Sequence, residues 1–438
     1  MTTTEKKLYD AFDSIPKIDV HTHLPLETPA AHRASDLVFY HMLFSELRSA
    51  GMTEAPPDRR RDEDDSHVDW PAMMRKTAPY FQRTANTAVC RAFVGLCRDL
   101  YGITRPVVDE GFMDELRASY DQHADRRAWS EQLFTQMNVE RAMASMYGVP
   151  WKRKDYCDSL FPRLTVAIER DPYHSSASMA WIARRMKEKY GFCIDTADKA
   201  REETMTQLER SFALGARTQL KWVSNGRIAR TVDPAKIDAA FRKIQIEEDW
   251  TPDDVAHLNA FDLQMRLEFA RERGQTFQLF SMALHLPGCA YTSSLTPQDF
   301  LITIGEWINR YPDVTFDILN CDYTAEPFFT SIARTHPNVN MSGVWWHGMS
   351  EGWLEDIIYR RILAVPVWKQ CGFFSDAYSA EWIWGKILIV RQPMVRAFAR
   401  AIENGYFGLE QAVEYMRMLL YDNPKRLHKL SAPEARKV

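Results

Sequence analysis

The stretch KIDVHTH, residues 17–23, sets two imidazoles one residue apart, His21 and His23. Ile18 and Val20 alternate with Asp19 and His21, the period of two that marks a strand, so His21 and His23 face the same way. Two same-side histidines at a strand end suit a metal ion. Such a pair also arises by chance, so the rest of the chain decides. Further polar groups follow apolar runs: Lys221, His285, Asn320 with Asp322, Trp345, Trp346 and His347, and finally Asp376. Imidazole and carboxylate together suit Zn²⁺, Mn²⁺ or Fe²⁺. An aspartate beside such an ion can also move a proton. Each group has a plainer reading. Asp376 fits a helix N-cap with Ser379 and Glu381 downstream. Lys221 fits a snorkelling lysine. His285, two residues before Pro287, fits a structural role or one behind a ligand, and Arg170 fits either an anionic substrate or a neighbouring carboxylate.

The elements that must carry these groups are short apolar runs, most followed by a helical pattern. Eight strands are expected, over 17–21, 141–146, 164–168, 217–223, 276–283, 314–319, 339–346 and 372–376. Between the fourth and fifth, Leu258, Leu263, Leu267 and Ala270 fall at helical spacing, with Gly274 placed as a C-cap. Eight strands alternating with helices predict an α/β fold, a distorted (β/α)₈ TIM barrel. The expected barrel comprises residues 1–23 and 141–438. Residues 24–140 read as a mostly helical insertion after strand 1, broken by a charged, Pro-containing loop at 53–69. Loops after strands lie on the catalytic face of a barrel, so the insertion is expected to cover the site.

Composition narrows the partners. The chain has 438 residues, 45% of them hydrophobic, and a net charge of −4 without a basic stripe, which argues against nucleic acid. The seven dispersed cysteines lack a CxxC pair and read as reduced thiols of a cytoplasmic protein. The residues at the N-terminus lack the apolar core of a signal peptide, and no stretch of eighteen apolar residues implies a membrane span. A small-molecule substrate is the expected partner. The Trp-rich C-terminal region fits either a core or a homo-oligomer interface.

Several stretches taken together resemble the amidohydrolase superfamily, and more narrowly its uronate isomerase branch. IDVHTHL resembles the first strand of that superfamily. WPAMMRKTAPYFQRTANTAVCRAFVGLCRDLYGI resembles the branch's helical insertion, FTQMNVERAMAS its second-strand entry, NMSGVWWHGM its Gly-Trp-Trp strand and FFSDAYS its strand-8 segment. The resemblance implies one divalent metal, usually zinc, held by His21, His23 and Asp376. It implies interconversion of uronic acids with their keto forms, with Asp376 as the base and Lys221 and His285 as further catalytic candidates. His41, Arg170, Arg227, Trp346 and Tyr378 are the implied substrate contacts. The chain departs from the branch in three places. Asp-Ser-Arg becomes Asp376-Ala377-Tyr378, the strand-5 histidine becomes Phe280, and the basic segment of the insertion keeps His41 alone. Losing polar groups changes what a pocket accepts, which makes a hydrolase or decarboxylase of a less hydroxylated molecule the second expectation. A catalytically dead binding barrel is the third; keeping His21, His23 and Asp376 together argues against it.

Overall fold

The computed structural model describes residues 1–56, 65–147, 160–169, 194–223, 227–246, 248–281, 296–344 and 350–430. In chain order its elements begin with α1 (Thr3–Ser14), β1 (Lys17–Thr22), α2 (Ala34–Val38), α3 (His41–Ser49), α4 (Trp70–Thr84), α5 (Ala88–Tyr101), α6 (Glu110–Asp121) and α7 (Arg126–Gln136). There follow β2 (Val139–Tyr147), β3 (Leu164–Glu169), α8 (Ala197–Ala213), β4 (Thr218–Val223), α9 (Pro234–Gln245), α10 (Pro252–Arg273) and β5 (Thr276–Ser281). The chain continues with α11 (Gln298–Arg310), β6 (Thr315–Asn320), α12 (Glu326–Thr335), β7 (Val339–Ser342), α13 (Glu351–Ala364) and β8 (Gln370–Cys371). It closes with α14 (Ala380–Glu403), α15 (Leu409–Arg417) and α16 (Asn423–Leu427).

All eight strands join one sheet in the order β1 to β8. The pairs from β3 to β8 are parallel. The chain is a (β/α)₈ barrel, as the alternation of strands and helices predicts. Two strand positions differ from expectation. β7 stops at Ser342, and β8 pairs through Gln370 and Cys371 rather than 372–376. Asp376 has φ 52°, a left-handed conformation that no regular strand contains, so the run GFFSD leaves the ladder. Among the described residues, no helix is long and apolar enough to cross a membrane.

The chain divides into two compact units. The first is Met1–Ala142, Gly348–Tyr359 and Phe374–Val413; the second is Met143–His347, Arg360–Phe373 and Glu414–Val438. In the first unit, α1 opens with a capping box between Thr2 and Glu5 and buries Leu8 and Phe12. Between β1 and β2 the described residues form six helices, α2 to α7. Glu381 of α14, fully buried, gathers this stretch: its carboxylate accepts from Tyr101 Oη at 2.9 Å, Trp129 Nε1 at 3.3 Å and the Ala31 N–H at 3.0 Å. Three segments of the insertion thus share one side chain, whose buried oxygens are satisfied by the donors around it.

In the second unit, apolar residues of β5, β6 and β7 (Phe277, Leu279, Phe316, Ile318, Met341) pack with Leu263 and Leu267 of α10 and Phe329 of α12. α10 begins at a Thr251–Asp254 capping box and ends at Gly274, φ 60°, the C-cap that the sequence predicts. Below the amino ends of β4 and β5, His428 is sealed in. Its Nδ1 lies 3.0 Å from Thr218 Oγ1 and its Nε2 3.4 Å from Asp317 Oδ2. Burial pushes the imidazole down to about 3 from an ordinary 6.5. A depressed histidine contributes stability that is fully present above pH 6.5 and lost as pH falls toward about 3. Asp317, raised to about 6 by burial against hydrogen bonds from Ser342 and Gln278, runs the other way, since its contribution grows as pH falls. A His428→Gln variant keeps the Ser342 and Gln278 bonds to Asp317, so the difference reports His428 together with its contact to Asp317. Between pH 6.5 and 5 the wild type is expected to lose about 2 kcal/mol more than His428→Gln, read from urea midpoints at the two pH values. Parallel losses would show that the imidazole is already charged when folded.

Candidate metal centre

The centre lies within the first unit and begins with the alternation of β1. His21 is the penultimate residue of the strand, and His23 follows its end. Phe374 to Ala377 run beside them. The Asp376 N–H donates to His21 O at 3.0 Å, and the His23 N–H donates to Ala377 O at 2.8 Å. These two bonds bring residues 355 positions apart side by side. His21 Nε2 lies 3.1 Å and His23 Nε2 2.9 Å from the same oxygen, Asp376 Oδ1. The two imidazoles meet edge to face at 4.9 Å between centroids. The other carboxylate oxygen, Oδ2, lies 3.5 Å from His41 Nε2, at the first residue of α3. Tyr378 stacks on His23 at 4.8 Å and meets His41 edge-on at 5.0 Å.

Burial pushes the Asp376 carboxyl upward, but the His23 charge and the bonds to His21, His23 and His41 outweigh it and hold the group well below the usual carboxylate range. Burial lowers the His41 imidazole, against the pull of Asp376. The centre therefore presents an ionised carboxylate with two imidazole nitrogens, donor atoms all within 4.8 Å of one another. That donor set fits a divalent ion of the Zn²⁺, Mn²⁺ or Fe²⁺ class, whose ligands must be deprotonated carboxylate and imidazole. The left-handed backbone of Asp376 costs on the order of 1–3 kcal/mol for a residue other than glycine, and such strain clusters where geometry serves a site.

Three further residues surround the centre, and two of them escape a reading of local patterns. Asp19 shares the face of His21, accepts from the Ser375 N–H at 3.0 Å and is raised to about 7 by burial against those Ser375 bonds. The period of two carried the signal for it. Lys386 of α14 is lowered to about 7 by burial, against Asp376, Glu46 and Asp19. Tyr40 packs its ring edge-on against His41 at 4.5 Å and points its hydroxyl at Asp376 O, 3.4 Å away. No local pattern announces either.

The remaining expected residues fall elsewhere. Lys221 lies in the second unit, on the face of β4 turned toward α10, where its Nζ donates to Asp262 Oδ2 at 2.8 Å and Asn259 Oδ1 at 3.3 Å. Alternation sends its neighbour Trp222 to the opposite face, stacked on Phe280 of β5 at 4.6 Å and 2°. Arg227 is half-buried in the second unit, and its carbonyl accepts from Asn259 Nδ2 at 3.1 Å. Asn320 and Asp322 are committed to structure: Asn320 Nδ2 donates to Glu326 Oε2 at 2.8 Å, and Asp322 Oδ2 accepts from the Thr296 N–H at 2.8 Å. Arg170, His285, Trp345, Trp346 and His347 lie outside the described residues.

No family model matches the chain, and no curated protein does. Solved structures do. A uronate isomerase from Thermotoga maritima superposes with a TM-score of 0.80 at 17% identity, covering 98% of this chain and 98% of that one. A glucuronate isomerase from Caulobacter crescentus gives 0.80 at 17% identity, over 99% of this chain and 95% of that one. A uronate isomerase from Bacillus halodurans gives 0.67 at 14% identity, over 98% of each chain. Over nearly its whole length, then, this chain has the fold of these solved uronate isomerases.

Proposed function

We propose that the chain is a metal-dependent isomerase of the uronate isomerase type, acting on a uronic acid or a closely related small carboxylated substrate. The observation that carries this is the convergence of His21, His23 and Asp376 at the carboxyl end of β1, in a chain that matches uronate isomerases end to end. In barrels of this kind chemistry gathers at the carboxyl ends of the strands. His21, His23 and Asp376 Oδ1 would hold the ion, which we take to be zinc. A divalent cation there supplies polarisation of the substrate's carbonyl and hydroxyl oxygens. The chain's own part is proton movement. Interconverting an aldehyde with a ketone takes a proton from C2 and returns it to C1, while a hydroxyl proton crosses between the two oxygens. Asp376 Oδ2 is our base, with His41 beside it. Tyr378, stacked on His23, would line the substrate's path. The roles of Arg170, Arg227, Trp346 and His285 rest on the sequence resemblance alone. For Lys221, fixed on Asp262, we propose a structural role instead.

The test is conversion of D-glucuronate and D-galacturonate by the zinc-loaded protein, followed by NMR of the keto products. Metal-dependent formation of the ketose supports the proposal. A metal-loaded protein that leaves both acids untouched excludes them as substrates, and failure on the remaining hexuronates as well refutes the proposal. Opening of lactones or amides by that same sample would establish the hydrolase reading, which the aromatic Tyr378 in place of a strand-8 arginine favours.

A further inference from the structure

The left-handed conformation of Asp376 persists only if its surroundings hold it. Two consecutive residues of the insertion reach it from different sides: His41 Nε2 faces carboxylate Oδ2 at 3.5 Å, and Tyr40 Oη faces the main-chain oxygen at 3.4 Å. The Tyr40 ring is itself fixed. Trp382 stacks on it at 4.1 Å and 25°, and Lys386, one turn along α14, sets its ammonium 5.7 Å from the ring centroid. Trp382 is anchored in turn, its Nε1 donating to Leu37 O at 3.0 Å. From these contacts we infer that Tyr40 is a positioning residue of the metal centre. Its hydroxyl holds the Asp376 backbone so that Oδ1 points at His21 and His23 while Oδ2 is left to His41. This rests on His21, His23 and Asp376 forming a metal site, and it adds a role for the insertion: α3 and the residue before it aim a ligand as well as cover it.

Groups that orient a ligand change metal affinity by roughly 10- to 100-fold when removed. The experiment compares Co²⁺ binding by the wild type, Tyr40→Phe and Tyr101→Phe, using chelator competition and the visible d–d absorption of the bound ion. Tyr40→Phe keeps the ring stack and loses only the hydroxyl. Tyr101→Phe removes a buried hydroxyl that bonds to Glu381, so it reports what mere loosening does. The expected result is a 10- to 100-fold weaker affinity and a shifted cobalt spectrum in Tyr40→Phe, with Tyr101→Phe matching the wild type. Unchanged affinity and spectrum in Tyr40→Phe would overturn the role, as would an equal change in Tyr101→Phe. A wild type that takes up no cobalt would overturn the metal centre itself, a different failure.

Discussion

Asp376→Asn is expected to lose its metal and to lower turnover by about 10²- to 10⁴-fold while remaining folded. Asparagine tolerates a left-handed backbone nearly as well as aspartate does, so φ 52° survives the change. The main-chain bonds to His21 and from Tyr40 survive too, because neither uses the carboxylate. What disappears is the negative charge that two imidazoles share at 3.1 and 2.9 Å and a third faces at 3.5 Å. Without it the donor set is two neutral imidazoles and an amide, with no anionic ligand left to offset the charge of a divalent ion. Elemental analysis after desalting, circular dichroism and turnover separate the effects. A folded variant that still carries one equivalent of metal would show that Asp376 is not a ligand.

Lys221→Met should act in the opposite sense, costing about 3–5 kcal/mol of stability and leaving metal content unchanged. Lys221, Asp262 and Arg266 are all fully buried. Asp262 Oδ2 takes the lysine at 2.8 Å and lies 3.3 Å from Arg266 Nε. Methionine fills the volume of the stem but takes the ammonium away from the carboxylate. An uncompensated buried charge is the expensive outcome, more so than loss of the pair as a whole. Adding Asp262→Leu should therefore restore part of the loss, though not all, since Arg266 then stands without its anion. Urea midpoints for the three proteins test this. A variant as stable as wild type but depleted of metal would return Lys221 to the metal site.

The contrast between these two residues shows how far local pattern reaches. Strand alternation was enough to place His21 and His23 on one face and to put Lys221 on a strand. It does not say which face of β4 looks inward. Asp262, forty-one residues on, fixes that by offering a buried anion on α10. Likewise the helix boundary at Gly274 was legible because a C-cap is chemistry within one turn. The displacement of β8 to Gln370–Cys371 was not, because pairing with Met341–Ser342 decides it against an apolar run that looks equally strand-like.

By itself, then, the sequence determined the α/β alternation and the histidine pair, because each is written in short-range periodicity. It also supplied Asp376 as a candidate, through its place after the last apolar run. Only the tertiary structure decided that Asp376 sits in a left-handed turn beside β1, that Tyr40 and His41 grip it from the insertion, and that Lys221 belongs to a buried ion pair. Those facts depend on contacts between segments 41 to 355 residues apart, where side-chain packing and the cost of burying charge choose among arrangements that local propensity leaves equal.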